Sequence, residues 1–574
     1  MATYLLKTSP RPRPRPARAW SFALALACLL LASCAAQAAP DAPALLGLAF
    51  APSWLRLTAG ATGRLALAER LADGSTRAVG EQASWDIADP AIGQIAPGGL
   101  VRALAVGETT ISATLGGRSV SARLEVIAPL ALLRPSPLNP RYFADASGRA
   151  IYLTGAHTWA NLQDYGDSDP PPAFDYSAFL DAVQSQNHNF FRLWAWEQAR
   201  WLAELPGDYW FDPMPYQRPG PGLARDGKPK FDLNAFNPAY FERLRQRVIL
   251  AGERGFYVSV MLFNGWSIED KAPGLWRGNP WPGHPLHRDN NVNGVDGDLD
   301  GDGQGRELHS LANPAIIALQ EAYVRKVVDT VGDLDNVLYE ISNESDPSAT
   351  DWQYHVIGLI RQYEAGRPKQ HPVGMSAEWP DGDNAALFAS QADWIAPNPA
   401  INQLSPAELA EVGKVIMADT DHLCGICGER AWVWQSFLQG FNFMFMDPYD
   451  EAGVARGVGP ENKRPPNDPA WVDIRRAMGE TLAYAQRMDL AAATPRAELS
   501  STGYCLANPA GGEYLVYAPQ GGEFSVDLSG SAGRLAAEWL NPHGGEITQA
   551  GTVAAGARAS FHAPFKGDAV LFLH

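Results

Sequence analysis

Residues 335–345 read "DNVLYEISNES". An apolar run, Val337-Leu338-Tyr339-Glu340-Ile341, stops at Ser342 and leaves Asn343-Glu344 at its end. A short run of this kind reads as a buried strand. An ordinary surface acid needs no such delivery. A catalytic acid does, because a rigid strand fixes its position while the loop beyond leaves room for a substrate.

Seven further runs of the same character lie between about Pro135 and Leu490: "AIYLTGAH", "NFFRLWAWE", "GFYVSVMLFNGW", "HPVGMSAEW", "DWIAPNP", "KVIMADTDH" and "FNFMFMD". Amphipathic helices alternate with them, as a parallel α/β sheet requires. In one helix Asn313 serves as cap and Pro314 opens the first turn, with Ile317, Leu319, Tyr323, Val327 and Val331 at roughly helical spacing. Eight strands over this length predict a (β/α)8 TIM barrel with long loops, spanning residues 135–492.

The flanks are written differently. Residues 45–128 alternate short β-rich runs with Gly, Asp and Pro turns, the pattern of an antiparallel sandwich. "SWDIADPAIGQI" and "GGLVRALAVGETTISAT" resemble the bacterial group 2 immunoglobulin-like domain, which implies a spacer or adhesion module. Residues 496–574 are again strand and turn. "STGYCLANP", "YLVYAPQGG" and "APFKGDAVLFL" resemble the collagenase-type collagen-binding module, which implies a small β-sandwich. The expected fold is therefore multidomain, a barrel between two sandwiches. At the start, a basic "RPRPRPAR" precedes "WSFALALACLLLASC", an export signal too short to span a membrane comfortably. Leu31-Ala32-Ser33-Cys34 resembles the lipobox of bacterial lipoproteins, which implies a signal over residues 1–34, lipidation of Cys34 and a cell-envelope anchor. Plain cleavage after "AQA" would instead discard Cys34 and give a periplasmic or secreted soluble protein.

Barrel active sites lie at the C-terminal ends of the strands. Those ends carry His157, Arg192, Glu197, Asn264, Asn343, Glu344, Glu378, Asn398, Asp419, Asp421, His422 and Asp447, interleaved with Trp159, Trp194, Trp196, Trp266 and Trp379. Carboxylates with aromatic platforms suit sugar chemistry. One acid protonates the departing oxygen, another supports the anomeric carbon, and flat rings stack on pyranose faces.

Asn-Glu ending strand four resembles the acid/base signature of the clan of retaining (β/α)8 glycoside hydrolases. "NPRYFADASGRAIYLTGAHTW", "NNVNGVDGD", "NVLYEISNESD" and "DTDH" resemble a less characterised bacterial glycoside hydrolase family that carries the same C-terminal module. The resemblance implies that Glu344 is the acid/base and that the nucleophile ends strand seven, at Asp419 or Asp421. It implies that Arg192 supports the nucleophile and that Asn343 binds a sugar hydroxyl. His157, His422, Asn264 and the five tryptophans are expected to line the substrate site. Most of the clan uses Glu as nucleophile, so Asp here is a departure.

Two motifs remain. "DGDLDGDGQGRE" places Asp296, Asp298, Asp300, Asp302 and Glu307 as hard oxygen ligands for a structural Ca²⁺, with Gly301 at the turn. Its flanks are not a helix pair, so it is no EF-hand, and a solvated acidic loop is the alternative. Cys424 and Cys427 form a lone C-x-x-C, either a small-loop disulfide in an exported protein or two free thiols. The net charge is -17, and the only charges before Cys34 are the basic Lys7, Arg11, Arg13, Arg15 and Arg18. Such acidity excludes nucleic acid as a natural partner. The expectation is a glycoside hydrolase needing no catalytic cofactor. The alternative is a catalytically inactive carbohydrate-binding or adhesion protein. A peptidase has neither an H-E-x-x-H nor a nucleophilic Ser motif here.

Overall fold

The computed structural model describes residues 44–202, 209–271, 278–398, 412–449 and 465–574. Cys34 and the signal segment, the Pro399 end of the sixth predicted strand, and nothing else of the predicted site, lie outside these residues.

Eight parallel strands close into a barrel. They are β1 (Thr154–Thr158), β2 (Phe190–Leu193), β3 (Tyr257–Asn264), β4 (Val337–Asn343), β5 (Val373–Ser376), β6 (Trp394–Ala396), β7 (Val415–Asp419) and β8 (Asn442–Met446). Every residue of these strands is buried, which is why each reads as an unbroken apolar run rather than an alternation. The helix Pro314–Val331 begins where expected, with the Asn313 side chain accepting from the Ala315 amide. Its inner face is offset at the start. Ile316 and Gln320 are buried where Ile317 and Leu319 were expected, because Gln320 donates to the Leu308 carbonyl and accepts from Trp352.

Residues 45–127 form three small sheets over an apolar cluster that includes Leu55, Val101, Ile111 and Leu124. This unit meets the barrel beneath β2 and β3. Arg56 donates to Asn187, and Gln184 to the Trp54 carbonyl. It therefore sits at the end of the barrel opposite the strand C-termini. Beyond the barrel, a six-stranded sheet (residues 494–573) and a strand pair (Glu523–Asp527 with Arg558–His562) share a second apolar cluster. The six-stranded sheet leans on the barrel flank, where Arg430 grips Asp568 at 2.9 and 3.0 Å and Arg487 meets Glu538 at 2.7 Å.

Candidate active site

Strand register builds the floor of the barrel mouth. His157 pairs with Arg192 across β1 and β2, and Arg192 with Ser259 across β2 and β3. Arg192 Nε and Nη2 donate to Glu340 at 2.8 and 2.7 Å, and Nη2 lies 3.0 Å from Asp419 Oδ2. Ser259 and Ser376 also donate to Glu340. One guanidinium thus bridges β4 and β7. Glu340 is the functional residue that the sequence reading passed over. An acid inside an otherwise apolar strand was the available signal.

Asp419 is held on three sides. Besides Arg192, it faces His157 Nε2 at 3.3 Å and accepts the Asp421 backbone N–H at 3.0 Å. Burial alone would raise its pKa, but Arg192 and His157 outweigh that and hold the carboxyl well below the ordinary range. Thr420 pins the segment to β8, its hydroxyl accepting the Met446 N–H at 2.8 Å.

Glu344 follows β4 in left-handed backbone, with φ 45°. A non-glycine residue held there costs about 1–3 kcal/mol, so its surroundings must enforce it. The close neighbour is Gly265, where a Cβ would stand 2.1 Å from the Glu344 carbonyl oxygen. The Glu344 side chain is buried and accepts a hydrogen bond from Trp266 Nε1. Burial pushes its pKa up; His422, the Trp266 bond and Lys271 oppose that, and Asp419 adds to it.

Asp421 stands between the two acids. One of its carboxylate oxygens, one of Glu344's and one His422 ring nitrogen lie within 4.8 Å of one another, and Asp421, Asp419 and His157 meet the same limit. Burial and then the charges of Glu344 and Asp419 push Asp421 well above the ordinary range. His422 is buried, and neither ring nitrogen has a hydrogen-bond partner among the described residues.

Several expected lining residues are turned elsewhere. Asn264 spends its amide on the backbone, accepting from the Trp266 N–H and donating to the Ala195 carbonyl. Trp194 and Trp196 are core rather than platforms, 2% and 6% exposed. Trp194 stacks on His157, and Trp196 donates to the Trp159 carbonyl. Trp159 is buried too. His157 is fully enclosed and serves Asp419. Trp266 and Trp379 are half-buried and stacked at 5.4 Å, beside Glu344. Glu378 accepts from Thr350 and Gln353, Asp447 grips Arg475, and the Asn398 backbone N–H is bonded to Asn384.

In the acidic loop, carboxylates of Asp298, Asp300 and Asp302 converge within 4.8 Å. Asp296 Oδ2 lies 2.8 Å from Arg288, and Glu307 Oε2 accepts the Leu299 N–H. These all-oxygen donors suit a hard cation. Cys424 and Cys427 form a disulfide just past His422.

Comparison with known proteins places the fold among closed-barrel proteins. Two solved structures from Bacteroides vulgatus ATCC 8482 match it. One, a "glycoside hydrolase family 5" protein, is 14% identical with TM-score 0.51, covering 77% of this chain and 93% of its own. The other, a "putative glycoside hydrolase", is 12% identical with TM-score 0.52, covering 90% and 99%. At such identity the likeness concerns the fold. Residues 200–392 match the family "Domain of unknown function (DUF6298)", and residues 497–574 match "Putative collagen-binding domain of a collagenase". No curated protein matches the chain.

Proposed function

We propose that this chain is an exported glycoside hydrolase, anchored through Cys34, that cleaves O-glycosidic bonds in poly- or oligosaccharides with two carboxylates and no catalytic cofactor. The observation that carries the reading is the pairing at the barrel mouth. A carboxylate ending β7, Asp419, is held charged by Arg192 and His157. A buried acid beyond β4, Glu344, shares that mouth beneath Trp266. Environments that push two carboxyl groups apart in pKa divide the roles of acid and anion. Glu344 is the general acid/base and Asp419 the nucleophile of a retaining mechanism. Both barrel neighbours described above are named as glycoside hydrolases, which agrees with this reading. The immunoglobulin-like unit is a spacer, the C-terminal sheets form a sandwich, and the three-aspartate loop carries a structural Ca²⁺.

One observation favours a second assignment. Asp421 is half-buried and has a carboxylate oxygen within 4.8 Å of one of Glu344's, near enough for the two acids to act on one glycosidic bond, whereas the Asp419 side chain is wholly enclosed. In that case Asp421 attacks and Asp419 is its charged support.

The test uses a polysaccharide panel and activated aryl glycosides. Glu344→Gln should lower hydrolysis of unactivated glycans by roughly 10²–10⁴-fold while sparing the first step for aryl glycosides. Asp419→Ala should stop both, with azide restoring turnover. If Asp421→Ala is inactive while Asp419→Ala is active, the second assignment stands. Full activity in all three variants would refute the hydrolase reading.

A further inference from the structure

Glu197, just beyond the C-terminal end of β2, takes no part in the chemistry above, yet its side chain is only 13% exposed and is held charged. Burial raises its pKa, but His309 and His284 outweigh that and bring it down to about 2. A buried charge is expensive unless its partners are well placed. The partners of this one lead to the same destination by two routes.

The first route runs through β3. Glu197 Oε1 accepts the Asn264 N–H at 2.7 Å, and the Glu197 N–H donates to Ser267 at 3.1 Å. These bonds bracket the tight turn in which Asn264 caps Trp266 at 3.1 Å. Trp266 in turn holds the Glu344 carboxylate. The second route runs through His309, whose Nε2 lies 3.2 Å from the same Glu197 oxygen. Its Nδ1 lies 3.2 Å from Ser345 Oγ, which donates to Ser342 at 2.7 Å. His309 is itself clamped flat on Trp352, with ring centroids 4.3 Å apart. Glu344 lies between Ser342 and Ser345. Its side chain and the chain on either side of it are therefore gripped by separate contacts, and both routes end on one carboxylate.

We propose that Glu197 and His309 form a positioning hub for Glu344, acting through the Trp266 turn on one side and through Ser345 on the other. The proposal rests on the reading of Glu344 as the acid. It explains what enforces a strained backbone at that residue, and it makes Glu197 a positioning residue rather than a catalytic one.

The test is a titration of Glu344 in the full chain labelled with [5-¹³C]glutamate. The Glu344 signal is identified by its disappearance in Glu344→Gln. Two variants break the hub at different points: Glu197→Gln, which removes the charge, and Ser345→Ala, which removes one hydroxyl with little risk to folding. In each, a loosened seat admits water to Glu344, and because burial outweighs the opposing Trp266 bond, its midpoint should fall toward the ordinary carboxylate value. Ser345→Ala should do so with its melting temperature nearly unchanged, which separates positioning from general destabilisation. An unchanged midpoint in both variants would overturn the hub. If the midpoint falls but Glu344→Gln still degrades glycans at full rate, the hub stands and the acid assignment fails.

Discussion

Arg192 Nη2 lies 3.0 Å from Asp419 Oδ2, and both side chains are completely buried. The same guanidinium forks onto Glu340. One cation therefore serves two enclosed carboxylates on β4 and β7, the strands whose ends carry the proposed catalytic acids.

Removing that cation leaves two buried negative charges without their partner. Arg192→Met should cost about 3–5 kcal/mol, the range for breaking a buried pair, read by urea denaturation. Arg192→Lys should recover little, since a point charge cannot bond Glu340 through two nitrogens and still reach Asp419. A Lys variant with full stability would show that charge alone, not the fork, matters here.

A half-buried acid sits far from the barrel mouth. Glu480 packs at the junction with the C-terminal sheet, 3.8 Å from Arg476, and neither carboxylate oxygen has a hydrogen-bond partner among the described residues. Burial raises its pKa from 4.5 to about 8, against the opposing pull of Arg476 and Arg430. The folded state thus binds this proton more tightly than the unfolded chain. Its destabilising effect is absent below pH 4.5, grows from there to about pH 8 and is then constant. Glu480→Gln should leave stability unchanged near pH 4 and raise it by on the order of a few kcal/mol at pH 9, seen in melting curves across that range.

The spacer reading of residues 45–128 predicts that removing them leaves turnover of a soluble substrate unchanged. Their contacts, such as Arg56 with Asn187, lie beneath β2 and β3, across the barrel from Glu344. A large loss of activity in a truncated barrel that still melts cooperatively would contradict it.

All eight strands were legible because parallel barrel strands are enclosed on both faces and their text does not alternate. The position of Glu344 was legible because the apolar run from Val337 places it just past the end of a buried strand. What escaped is non-local. Glu340 acquires its meaning from Arg192, 148 residues away, and Glu197 from His309, 112 residues away. Nothing in the local text announces either pair. The tryptophans were overcounted for a related reason. The same residue fills a core or floors a sugar site, and only packing separates Trp194 from Trp266.

The acidic loop is fastened beside the site. Arg306 donates to Glu269 at 2.7 Å, and Lys271 bridges Glu269 and the Trp379 carbonyl at 2.6 and 2.8 Å. A Ca²⁺ on Asp298, Asp300 and Asp302 should stabilise the fold by mass action, ~2.7 kcal/mol at a hundredfold excess over Kd. Calcium should then raise the melting temperature, and Asp298→Ala with Asp300→Ala should abolish the rise. If a chelator changes neither stability nor metal content, the loop is solvated acid.

The seat of Glu344 makes the last prediction. At Gly265 an added Cβ would meet the Glu344 carbonyl oxygen at 2.1 Å and Ser345 Cα at 2.8 Å. Both are backbone atoms and cannot swing aside as a side-chain tip does. Gly265→Ala must therefore displace the β3 turn or the chain at Glu344, and either movement parts Trp266 from the carboxylate. A displacement of about 1 Å at a reacting group costs on the order of a hundredfold in rate. Glycan hydrolysis should fall by that order, whereas Gly358→Ala, on an open helix face with nothing within 4 Å, should leave it intact and add up to about 1 kcal/mol of stability. Kinetics and melting curves of the two variants give the comparison. Gly265→Ala with unaltered kcat would mean that the Glu344 backbone is not held where its chemistry needs it.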